Sequence, residues 1–153
     1  PQQNEPPTAN FATLDTRNAH PLLDFDSTTQ EAAVFSDLLN RGYSGGNILV
    51  DIWFECDSNV TAAEEVVWEA QWEKLNTQDL DADSFAAVIE ASAATCSVTA
   101  GVMTLATITF TSAQIDGVVA GDPFRLKLLR DPANVGDDLD TLDAGLRMIE
   151  VRQ

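Results

Sequence analysis

Most of the residue types that chemistry depends on are scarce in this chain. Its 153 residues include one histidine, two cysteines and eight Lys plus Arg. A Ser-His-Asp or Cys-His arrangement would have to run through His20, which precedes Pro21 and stands near Asp24 and Asp26, and nothing beside it signals an activated nucleophile. A structural role is the expectation for His20, and the chain reads as a non-enzyme. So few cations exclude nucleic-acid binding through phosphate neutralisation. No stretch approaches the roughly 20 apolar residues of a membrane span, and anionic membranes would repel the chain. Residues 1–10 are polar, with Glu5 as their one charge, so no leader is expected and synthesis in the cytoplasm follows. Gly42, Gly45 and Gly46 lack the lysine and helix of a phosphate loop, and no cofactor is implied. Two cysteines make no disulfide framework and have no histidine company for zinc. A buried free thiol is the expectation for Cys56, with a Cys56–Cys96 bridge as the alternative.

What the chain has in excess is acid. Twenty-five Asp and Glu give a formal net charge of -17, which favours solubility and suits a salty habitat, a solvent-bathed face or a basic partner. It also has alternation. In residues 65–74, Val66, Trp68, Ala70 and Trp72 share one side of an extended strand, and Glu65, Glu69, Gln71 and Glu73 the other. In residues 47–56, Ile48, Val50, Ile52, Phe54 and Cys56 share a face, and Leu49, Asp51, Trp53 and Glu55 oppose them.

Further strands are expected over residues 21–25, 97–110 (broken at Gly101), 124–130 and 146–152, and a strand is favoured over 85–94. Residues 31–39 fit a strand or a short helix. Acidic loops fall at 75–84 and 132–143, and a glycine-punctuated connection at 113–122. No helix-period stretch of 12 or more residues competes, and no internal repeat is present. The expectation is all-β: a single-domain jelly-roll or β-sandwich of about 7–9 strands over residues 11–153, preceded by an extended N-terminal arm, residues 1–10, rich in proline.

Asp79, Asp81 and Asp83 alternate, with Glu90 twelfth from Asp79, in the manner of a calcium loop. Ser84 stands where the sharp turn needs glycine, however, so a solvated acidic loop is expected and these three remain the candidates for any metal. Asp137, Asp138, Asp140 and Asp143 read the same way. Trp68 and Trp72 belong to the core. Trp53, on the opposite phase from Ile52 and Phe54, is a candidate interface or ligand platform. Pro6, Pro7, Phe11 and Tyr43 are the other interface candidates.

Residues 18–26 (Asn-Ala-His-Pro-Leu-Leu-Asp-Phe-Asp), Tyr43 with Gly45-Gly46, Val67-Trp68-Glu69, residues 121–127 (Gly-Asp-Pro-Phe-Arg-Leu-Lys) and Arg130-Asp131 resemble a group of small stand-alone β-proteins of tailed bacteriophages. The likeness runs from about Thr8 to the C-terminus. It implies a jelly-roll virion protein, typically a homotrimer, that cements or decorates the capsid by binding the major capsid protein, with the virion surface as its location. The alternative is a tail-fibre head that binds host-surface glycans. No catalytic residue carries over.

Overall fold

The computed structural model describes residues 3–5, 7–57, 60, 63–76, 79, 81–82 and 85–153, with side chains from residue 7 onward. Twelve strands are formed among them: β1 (Gln3–Glu5), β2 (Thr13–Arg17), β3 (His20–Phe25), β4 (Glu31–Leu38), β5 (Ile48–Cys56), β6 (Glu65–Val66), β7 (Trp68–Lys74), β8 (Ile89–Glu90), β9 (Ala94–Thr95), β10 (Thr104–Phe110), β11 (Pro123–Arg130) and β12 (Ala144–Arg152). Eight are five residues or longer, within the expected range. Of the ambiguous stretch 31–39, Glu31–Leu38 is strand, and the Ala-rich stretch 85–94 holds only the two-residue β8 and the first residue of β9 rather than one strand.

The strands build two five-stranded antiparallel sheets, β1-β4-β11-β7-β8 and β10-β5-β12-β3-β2, with β6 and β9 paired apart. In chain order, β3, β4, β5, β7, β8, β10, β11 and β12 interleave as a jelly roll. The first, third, sixth and eighth lie in one sheet and the second, fourth, fifth and seventh in the other. Of the N-terminal segment, Gln3–Glu5 pairs with β4 of the same chain.

Period-two alternation sets the core. β5 contributes Ile48, Val50, Ile52 and Phe54, and β7 contributes Trp68, Ala70 and Trp72, all buried. Trp68 meets Phe25 edge-on at 5.0 Å and Phe54 at 5.4 Å across the sandwich, and Trp72 meets Phe110 of β10 edge-on at 5.9 Å and lies 4.4 Å from Phe124 in its own sheet. Each indole thus joins both sheets, and truncation of either to alanine would cost about 3–5 kcal/mol.

Two readings of the sequence are corrected. Cys56 is not a free thiol: it is bonded to Cys96, tying the end of β5 to the segment after β9. The run 137–143 is not merely a solvated loop. Asp137 is buried against Arg130, Asp138 accepts from the Glu65 backbone N–H at 2.5 Å, and Asp143 accepts from that of Ser27 at 2.9 Å. These carboxylates replace a ladder partner for backbone that no strand satisfies.

Candidate docking face

The outer faces of the two sheets differ in chemistry. On the β4-β11-β7 sheet the outward residues include Glu69, Gln71, Glu73, Arg125 and Lys127. Arg125 pairs with Glu73, and both cations sit over the Phe85 ring, at 4.9 and 5.5 Å. On the β10-β5-β12 sheet the centre is apolar. Trp53 of β5 stands opposite Leu105 of β10 and Met148 of β12, and those two neighbours are 42% and 53% exposed. Strand pairing therefore sets one aromatic, one aliphatic and one thioether side by side across three strands.

Ion pairs flank this centre on both sides. Two residues before Trp53, buried Asp51 accepts from Arg152 Nε at 2.6 Å and from Thr107 Oγ1 at 2.7 Å. The Arg152 hydrogen bond holds the Asp51 carboxyl below its ordinary range. Two residues after Trp53, buried Glu55 takes Arg147 Nη2 at 2.7 Å and Arg17 Nη1 at 3.4 Å. Gly101, at φ +75°, carries its turn against the Arg17 guanidinium, where an added Cβ would lie 3.5 Å from Nε.

Beyond Glu55 lies a small acidic recess lined by Asp15, Arg17, Asp24, Glu55 and Asp57. Half-burial, then the charges of Asp143, Asp57, Asp15 and Glu31, push the Asp24 carboxyl up to about 6. Gly145 sits between Asp24 and Glu55 in the ladder, and a Cβ there would come within 3.3 Å of Leu22 and 3.4 Å of Glu55.

The candidates read from the sequence are not gathered on one face. Trp53 is central to the outer face just described, half-buried between its neighbours. Tyr43 lies in the loop before β5, its hydroxyl donating to the Gly46 carbonyl at 2.9 Å. Phe11, 48% exposed, bridges to Ala32 at the edge of the other sheet, and Pro7 is half-buried before it. Pro6 lies outside the described residues, as does Asp83. Asp79 uses its carboxylate to accept from the Asp81 backbone N–H at 3.0 Å, which makes a turn. No group of three metal-ligating side chains occurs among the described residues. His20 is exposed and meets Arg147 through its backbone carbonyl.

Met148, Leu105 and the arginines around Trp53 were not found from sequence. The outward phase of residues 146–152 was a usable signal, because it aligns Met148, Glu150 and Arg152.

No protein-family model matches the chain, and no curated protein matches it. Among solved structures it is similar to the CBM22-2 xylan-binding domain of a Paenibacillus barcinonensis protein, with a TM-score of 0.52 and 12% identity. The alignment covers 98% of this chain and 91% of that one. The likeness is one of fold, a β-sandwich.

Proposed function

We propose that the chain is a non-enzymatic docking protein of a virus particle, a homotrimer that decorates the capsid by seating the outer face of the β10-β5-β12 sheet on the major capsid protein. The observation that carries this reading is Trp53 set between Leu105 and Met148 and flanked by Arg147 and Arg152, each already held by a buried carboxylate. Protein interfaces are enriched in tryptophan, methionine and arginine, and their energy concentrates on such central anchors. The flanking arginines are ordered before contact, which lowers the entropy lost on docking. Three copies joined in a trimer would add weak contacts through effective concentration.

Two further features agree with the reading. A disulfide bond suits an oxidising exterior such as a particle surface. The net charge of -17 keeps decorated particles apart. The test is co-sedimentation with assembled shells: Trp53→Glu abolishes binding, and Phe85→Ala on the opposite sheet leaves it intact. Equal binding by both variants would remove this face from docking.

The second reading is glycan recognition by a tail-fibre head, favoured by one observation: Trp53 is a partly exposed aromatic on a sandwich similar in fold to a xylan-binding domain. It predicts a glycan-array signal that Trp53→Ala removes. A silent array counts against it.

A further inference from the structure

β12 is paired on one side along its length and on the other for only three residues. β5 runs beside it from Ala144↔Cys56 to Arg152↔Leu49, whereas β3 is paired with it only over Ala144–Leu146. A bulge between Leu146 and Met148 marks the departure. Beyond it, no described strand pairs with Met148–Arg152 on the side away from β5. β3 continues back to His20 paired with β2 alone. Arg147 fills the first step of the gap: its Nη1 donates to the carbonyls of His20 at 2.9 Å and Pro21 at 3.2 Å.

The gap opens into a groove. One concavity of about 250 Å³ is lined by Leu14, Leu23, Phe35 and Ile149, and a second of about 600 Å³ lies next along β12, beside Leu38 and Val151. β12 forms one wall in sequence, Arg147–Ile149 and then Glu150–Gln153. Opposite it stand Leu14 of β2, Pro21–Leu23 of β3 and Phe35 of β4 in the first concavity, then Asp37 and Leu38 at the end of β4 with Leu39 after it in the second. Leu14 is 78% exposed and Leu38 54%, while Ile149 and Val151, on the core-facing phase of β12, are only half-buried.

We propose that this groove receives an extended segment of a partner protein as a strand added to β12, apolar at alternate positions and basic at the others. An unpaired strand edge offers N–H and C=O groups at ladder spacing, and five residues of edge give about 17 Å of pairing. By the period of two, inward residues of the guest meet Phe35, Ile149 and Val151, and outward ones meet Met148, Glu150 and Arg152. Charge selects the guest. Arg147 and Arg152 are bound to Glu55 and Asp51, which leaves exposed Glu150 at the middle of the edge. A second copy is a poor donor: its net charge is -17 and its residues 1–10 hold no lysine or arginine. The identity of the partner as a coat protein rests on the docking reading above; the groove does not.

Two synthetic nine-residue peptides test this, one alternating Val with Lys and one alternating Val with Glu, read by amide hydrogen exchange of the whole chain. The Lys peptide slows exchange across Met148–Arg152 at least tenfold, the Glu peptide does not, and Leu38→Glu removes the effect. Unchanged exchange there, equal protection of β2 or β10, or protection that grows with protein concentration alone would each overturn the proposal, the last by placing a second copy in the groove. Shell co-sedimentation separates the two readings. Loss with Trp53→Glu but not Leu38→Glu overturns the groove as a docking element and keeps the docking face. Loss with neither overturns the docking reading, and the peptide experiment then decides the groove alone.

Discussion

Arg130 and Asp137 form a buried bidentate ion pair, Nη2 to Oδ1 at 2.9 Å and Nε to Oδ2 at 3.1 Å. The guanidinium also donates to the carbonyls of Leu139 at 2.6 Å, Leu142 at 3.0 Å and Phe25 at 3.3 Å. One arginine thus holds the loop between β11 and β12 against the end of β3, donating to two carbonyls of that loop and to the last carbonyl of β3. Removing one partner strands a buried charge, so Arg130→Ala should cost about 3–5 kcal/mol in chemical denaturation. Arg130→Met with Asp137→Leu should cost less than Arg130→Ala alone. An Arg130→Ala loss below about 1 kcal/mol would contradict this account of the loop.

The signal for this pair was present in the sequence. Phe124, Leu126 and Leu128 fix the inward phase of β11, and Arg130 is next on that phase, so a carboxylate partner was required. The strands of β5, β7, β11 and β12 were legible for the same reason: each has a buried phase. β2 was not, because its inward phase carries Leu14, which remains exposed. The placement of Trp53 opposite Ile52 was legible from alternation alone. Its flanking by Leu105 and Met148 was not, because it depends on the register of strands about 50 and 95 residues away in sequence, set by long-range pairing. The Cys56–Cys96 bond stood only as the alternative to a free thiol, because the fold, not the spacing, brings the end of β5 to the segment after β9.

Asp24 gives the protein a pH dependence of definite sign. Its folded carboxyl is pushed up to about 6 from 3.8, so the folded state holds the proton more tightly than the unfolded chain. The stabilisation is complete below the unfolded value and is lost as pH rises through about 6. Asp24→Asn should therefore raise the Tm at about pH 8 and leave it little changed near pH 4. A variant that melts with the wild type at pH 8 would refute this.

The Cys56–Cys96 bond closes a span of 40 residues. Chain-entropy arguments put its contribution at about 4 kcal/mol for a loop of that length. Cys56→Ala with Cys96→Ala should lower stability by that order in urea denaturation. Both cysteines are buried, so reductant should act on the native wild type slowly, and faster in mild denaturant. Rapid native-state reduction would contradict the burial.

Trp68 and Trp72 are buried and Trp53 is partly exposed. Acrylamide should therefore quench a minor part of the tryptophan emission, and Trp53→Phe should remove that part. Bound shells should protect it in the wild type.

The proposed capsid decoration is open to immunogold labelling of purified virions with an antibody against this chain. Label spread evenly over the head is the expected result. Label confined to the tail or its fibres would contradict it and leave glycan recognition through Trp53 as the reading to pursue.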